Sequence, residues 1–159
     1  GQDQGQGQEG DRWRGDGMKF YLAAQLADRE VAATLIRAIE VEGDLRCTYD
    51  WTVSGSVVGK GLACYQEVAE AEVEGVRQAD VLILLAPGGR GAHVELGIAI
   101  ARGIPILILY RTLDDMDKPY PSVFHYLPQI SRMPWGGNET NWMKSFREWI
   151  GKQKEGRVA

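Results

Sequence analysis

The segment ADVLILLAPGGRGAHVELGIAIARGIPILILY, residues 79–110, decides the fold. It opens on one continuous apolar run, VLILLAP, and closes on another, IPILILY. Runs of this length without polar alternation are strands covered on both faces, as in a parallel sheet flanked by helices. Between them, Gly88, Gly89 and Gly91 allow a tight turn with close backbone approach, and AHVELGIAIARG continues as a helix. Strand, glycine turn, helix, strand is the repeating unit of a doubly wound α/β sheet.

The flanking sequence extends the pattern. KFYLAA (19–24) is a candidate first strand. ADREVAATLIRAIEVEG (27–43) follows, with Val31, Leu35, Ile36 and Ile39 at helical spacing and Gly43 as a natural C-cap. RCTYDWT (46–52) is strand-like and leads into the loop VSGSVVGKG. Residues 62–78 return to a helical period, with Leu62, Tyr65, Val68 (or Ala69), Val73 and Val76 on one side. Beyond residue 110, Pro119 and Pro121 interrupt the chain before a weaker strand near PQISRM. The closing helix ETNWMKSFREWI carries Trp142, Phe146, Trp149 and Ile150 at three-to-four spacing. The alternation predicts five parallel strands in a three-layer α/β/α domain. Ligands of such sheets bind outside the carboxyl ends of the strands, which nominates the loops AAQLAD, DWTVSG and APGGRGAH.

At 159 residues, the chain has room for a single domain. Residues 1–17, rich in Gly, Gln and acids, read as a disordered leader or cloning remnant before Met18; residues 18–154 form the domain and 155–159 a tail. The fractions of 44% apolar and 25% charged residues are those of an ordinary globular protein, and a net charge of -4 lacks the basic footprint of a nucleic-acid-polymer binder. Cys47 and Cys64 show no metal-binding spacing and read as free thiols in a reducing compartment. The apolar runs are too short to span a bilayer, and no signal-peptide pattern is present. The expectation is a cytoplasmic protein with no membrane partner, metal or cofactor.

Glu95 is the candidate for chemistry. It lies about one turn into the helix after the glycine turn, among Val94, Leu96, Ile98 and Ala99, in a helix expected to be buried nearly all round. A buried carboxylate costs several kcal/mol unless paired or employed. The alternatives are a dipole-complementing charge or a surface carboxylate. The helix N-terminus itself favours an anionic group. His93, two residues earlier, points away from Glu95; it could cap, line a pocket or contact phosphate, with a structural histidine as an equal alternative. Arg90 could bind an anion or be solvated. Glu72, beside the apolar stripe of residues 62–78, is favoured as a partner over Asp80, which starts a strand at the opposite end of the sheet. A solvated acidic face is the competing reading for Glu72.

FYLAAQLADRE, TYDWT, VEGVRQADVLILLAPGGRGAHVELGIAIARGIPILIL and DKPYPS together resemble the nucleoside 2-deoxyribosyltransferase superfamily, which includes nucleoside 5'-monophosphate N-hydrolases. The likeness covers Met18 to about Ser122 and is strongest in GRGAHVELG. It implies a flavodoxin-like sheet and Glu95 as a nucleophile that attacks the anomeric carbon, giving a glycosyl-enzyme intermediate. It further implies Glu72 as the second acid, where many members carry aspartate. Tyr21, Ala24 and Gln25 would then close over sugar and base, while Asp50 and Trp51 recognise the base. Pro87, Gly88, Gly89, Arg90, Gly91 and His93 would line the sugar or 5' end. The resemblance also implies a homodimer or larger homo-oligomer with shared sites, and Trp135, Trp142 and Trp149 are candidates for that interface or for packing on the sheet.

Two departures bear on the reaction. Transferases carry an acid six residues before the nucleophile, and this chain has Gly89; their KPIN-like segment is KPYPS here. Nucleotide hydrolases carry serine at the first position and another near Ser122, which tilts the balance toward a 5'-monophosphate hydrolase. Their arginine-rich phosphate loop, however, is replaced by LADRE. The expectation is therefore an N-glycosidase or base-exchange transferase acting on a small nucleoside or nucleotide. The alternatives are a non-catalytic nucleotide-sensing module of the same fold, or an NAD glycohydrolase.

Overall fold

The computed structural model describes residues 17–54, 56–136 and 141–158; the segment expected as a leader lies outside them apart from Gly17. Five strands form one sheet: β1 (Lys19–Ala23), β2 (Arg46–Cys47), β3 (Val81–Leu85), β4 (Ile106–Tyr110) and β5 (Ile130–Pro134). All neighbours pair in parallel, in the order β2-β1-β3-β4-β5. This is the flavodoxin-like, doubly wound order. The helices are α1 (Arg29–Val41), α2 (Leu62–Gln78), α3 (Arg90–Arg102), the short α4 (Leu113–Asp117) and α5 (Trp142–Val158).

Strand pleat divides the core in two. Phe20, Leu22, Val81, Ile83, Leu85, Leu107 and Leu109 face one side, where Leu35, Ile36 and Ile39 of α1 meet Phe146, Trp149 and Ile150 of α5. Tyr21, Ala23, Leu82, Leu84, Ile106 and Ile108 face the other side, against Val76 of α2 and Ala92, Leu96 and Ala99 of α3. The continuous apolar runs of β3 and β4 thus supply both layers.

Several expectations are corrected. The strand-like stretch 46–52 is a strand only at Arg46 and Cys47. Beyond them, Thr48 N still bonds Phe20 O at 2.9 Å, but the indole N–H of Trp51 takes Leu22 O at 2.7 Å, so a side chain replaces the ladder. On α2, Leu62 and Tyr65 are exposed, and the inward row is Val68, Glu72, Gly75, Val76. The helix is rotated from its expected face because that row contains a glycine and a carboxylate. On α3, burial is confined to the stripe Ala92, Glu95, Leu96, Ala99, and Val94 is 61% exposed. Trp135, Trp142 and Trp149 pack with Phe146 against the α1/α5 side of the sheet, in edge and tilted ring contacts, which is the sheet-packing alternative given for them. Helix α5 also continues to Val158, through residues 155–158 assigned above to a tail.

Candidate active site

After β1 the chain turns to the α1 side of the sheet; after β3 it turns to the α3 side. The two loops part, and the gap between them is the switch point of the fold. A cavity of about 390 Å³ opens there. Its walls are Ala24, Gln25 and Leu26 after β1, Trp51, Ser54, Val57 and Val58 after β2, Val68 and Glu72 of α2, and Gly89 to Ala92 with Glu95 of α3. The size suits a small organic ligand.

Glu95 lies on the buried stripe of α3, 6% exposed, with its carboxylate on the cavity wall. Tyr21, wholly buried on β1, donates its phenol hydroxyl to Glu95 Oε2. Gly75 permits this placement: a Cβ there would stand 2.9 Å from Tyr49 Cβ and 3.0 Å from Tyr21 Cδ2. Burial pushes the Glu95 carboxyl up to about 8; the Tyr21 hydrogen bond pulls it down, and Glu72 adds to the rise. Burial also raises Glu72. Burial, and then the adjoining Glu95, hold the Tyr21 phenol far above its usual range, so it stays a neutral donor. The site therefore holds two carboxyls whose protonated forms burial favours, one of them bonded by a fixed O–H donor.

Trp51 spends its only donor on Leu22 O and so offers the cavity an apolar ring. At the helix end, Gly89 is the N-cap of α3 and no side chain caps it; His93 N returns to Gly89 O at 3.2 Å. Gly88 takes φ +68°, the left-handed region, where a side chain would also meet the ring of His93. Gly89, Arg90 and Gly91 line the cavity, whereas Pro87 and Gly88 sit behind it as the turn itself.

Several residues nominated from sequence lie apart from the cavity. His93 Nδ1 is 2.8 Å from Gly89 O and its Nε2 is 3.0 Å from His125 Nε2, with the rings stacked at 5.2 Å. Because a carbonyl only accepts, His93 carries its proton on Nδ1, and its Nε2 accepts from His125. His93 is thus a strut under the glycine turn. Asp50 accepts from the backbone N and hydroxyl of Thr52, in a side-chain turn that shapes the loop. Ser122 precedes the 3-10 turn Val123–Tyr126 and does not reach the cavity of its own chain. Asp80 accepts from Lys19 N at 2.9 Å, at the amino end of the strands as expected.

Sequence reading nominated the loops that hold Leu26, Asp28 and Ser54 without singling out those residues, and it missed Val57, Val58 and Val68 as lining and Arg111 and His125 as supports. Valines in the loop VSGSVVGKG, where polar residues are usual, were the available signal. Burial pushes the Cys47 thiol up to about 12 and leaves it inert. Among the described residues, no group of three His, Cys, Asp or Glu is arranged to hold a metal ion, and no helix is long and apolar enough to cross a membrane.

The fold and site define a flavodoxin-like α/β domain with a buried carboxylate at the switch point. No protein-family model and no curated protein matches the sequence. Among solved structures, the chain is similar to the CMP N-glycosidase BcmB of Clostridium botulinum, at 18% identity and a TM-score of 0.50, over 84% of this chain and 98% of that one. It is also similar to a conserved protein from Enterococcus faecalis V583, at 22% identity and a TM-score of 0.55, over 86% and 98%. At these identities the likeness is one of fold.

Proposed function

We propose that the chain cleaves the N-glycosidic bond of a (deoxy)nucleoside or nucleoside 5'-monophosphate, with Glu95 as nucleophile. The observation that carries this reading is the buried Glu95 carboxylate on the cavity wall, bonded by Tyr21 and facing the same space as Glu72. In its ionised form, Glu95 attacks the anomeric carbon while the C–N bond to the base breaks. Glu72, whose protonated form burial favours, gives its proton to the leaving base when it carries one. The Tyr21 hydroxyl holds the free Glu95 oxygen and favours the anion. Water then gives a proton to Glu72 and attacks the same carbon, releasing the sugar and freeing Glu95; a second free base in place of water gives the exchanged nucleoside. Two displacements retain the anomeric configuration.

The fold shared with a CMP N-glycosidase supports this reading. Incubation with nucleosides and 5'-monophosphates, followed by chromatography for free base, tests it. The expected result is base release that falls at least about a thousandfold in Glu95→Ala. A rate unchanged by that substitution overturns the mechanism, and an added second base distinguishes exchange from hydrolysis. We further propose a homo-oligomer that closes the open side of the cavity. Leu26, Val58, Leu62 and Val94 are exposed apolar side chains on the segments that frame it.

One observation favours a second reading, a module that binds a nucleotide without turnover. At Gly89 a Cβ would stand 3.3 Å from Gln25 Cβ, so the wall there carries no side chain for chemistry. Tight binding of intact nucleotide through long incubation supports that alternative.

A further inference from the structure

Gln25 is the cavity's amide side chain, and its amide is not free to turn. Its Nε2 donates to Asp28 Oδ2 at 3.0 Å. Asp28 is itself buried and gripped by Arg111, Nη1 to Oδ1 at 3.2 Å and Nη2 to Oδ2 at 3.1 Å. Arg111 follows β4 directly and is anchored in turn, its backbone N at 2.9 Å and its Nε at 3.4 Å from Asp115 Oδ2. A two-pronged arginine–carboxylate contact fixes orientation as well as position. An ionised carboxylate only accepts, so the nitrogen of the Gln25 amide must face Asp28. The carbonyl oxygen is then the group left for other partners. The backbone adds to this restraint, because Gly89 packs against Gln25 Cβ and Cα.

We infer that Gln25 is a specificity residue whose carbonyl, oriented by the Arg111–Asp28 pair, accepts a hydrogen bond from the substrate and so selects a nucleoside carrying a neutral O–H or N–H donor at that place. An acceptor or an anion there meets the carbonyl, with the Asp28 carboxylate behind it, and is rejected. Asp28 is a positioning residue that acts through Gln25. The inference rests on the reading that the cavity takes nucleosides. It deepens that reading by stating which chemical group the substrate must present. A sugar hydroxyl and an exocyclic amino group share this chemistry.

The test is a cycle between protein and ligand, read as affinity so that it does not depend on turnover. Glu95→Gln protein is titrated calorimetrically with the common nucleosides and their 5'-monophosphates. The tightest binder is then compared with analogues lacking the 2', 3' or 5' hydroxyl, or with the exocyclic amino group replaced by carbonyl. The same set is repeated with Gln25→Met added. One deletion is expected to cost roughly ten- to a hundredfold in affinity with Gln25 present, and less than about threefold in Gln25→Met. Whether that deletion is a hydroxyl or the amino group identifies the source. Asp28→Asn, which lets the amide turn, is expected to weaken the same discrimination while leaving the analogues lacking the donor as they were. A support role alone would weaken every ligand equally.

Discrimination that is the same in both backgrounds overturns the inference, and if base is still released from substrate it does so without touching the proposed reaction. Discrimination that depends on Gln25 in a protein that never releases base upholds the inference and overturns the reaction. Failure of every nucleoside and 5'-monophosphate to bind or react overturns both.

Discussion

Glu95 combines a functional asset with a folding cost. A carboxyl whose folded value lies above its unfolded one stabilises the fold below the unfolded value and loses that contribution as pH rises through the folded one. For Glu95 that window runs from 4.5 to about 8. Glu95→Gln removes the loss and keeps an acceptor for Tyr21. We expect a variant that melts like the wild type near pH 4 and is more stable by ~1–3 kcal/mol near pH 8, while releasing no base. Thermal melts across that range check it; equal stability at both ends contradicts it. The same carboxyl must ionise to attack while Glu72 keeps its proton, so the rate should rise as Glu95 ionises and fall again where Glu72 loses its proton. Tyr21→Phe removes the hydrogen bond that lowers Glu95, so the rising limb should move to higher pH and the rate at neutrality fall about tenfold. A limb that stays in place shows that Tyr21 does not tune Glu95. Glu95 was legible in sequence as a carboxylate among apolar neighbours just past a glycine turn. Its bond to Tyr21, 74 positions away, was not, because nothing local to either residue encodes the pairing.

Among the elements, β1, β3 and β4 were readable because strands buried on both faces leave uninterrupted apolar runs. Strand β2 was overread, since TYDWT has strand composition but follows β1 through the Trp51 side chain instead. Helix α2 was misoriented because apolar spacing alone ignores Glu72 and Gly75, the two residues its inward row needs for the site. Gly75→Ala tests that row. The added Cβ meets Tyr49 and Tyr21 inside normal contact distance, and should cost about 1–3 kcal/mol while lowering activity by displacing Tyr21 from Glu95. Full stability and activity in this variant would place the glycine outside the constraint. The glycine turn has a parallel support in the His93–His125 pair. Burial, then His93 and Arg132, lower the His125 imidazole. A histidine lowered in this way contributes stability above its unfolded value, about 6.5, and loses it as pH falls below. We expect stability to drop as pH falls below about 6.5, and His125→Gln to flatten that drop. An unaltered slope in the variant assigns the acid sensitivity elsewhere.

For the molecule as a whole, the sheet order was legible as a class from the alternation of strand and helix, and the switch-point rule then located the cavity. What composition could not show is which apolar side chains the fold leaves outside. The late tryptophans face inward, whereas Leu62 of α2 and Val94 of α3 stay outside, 75% and 61% exposed. If a second copy covers them, Val94→Glu should shift the protein to monomer in light scattering and reduce activity, whereas a wild type that is already monomeric removes the proposed assembly. The carboxylate mechanism is independent of that outcome, and one measurement reaches it directly. A 2'-fluoro-2'-deoxynucleoside slows the second displacement by destabilising positive charge at the anomeric carbon, so the glycosyl ester accumulates. Mass spectrometry of protein quenched after this treatment should show one added sugar, mapped by peptide digestion to Glu95 and absent in Glu95→Gln. A protein that releases base but carries the sugar on another residue, or that releases base undiminished without Glu95, contradicts the account.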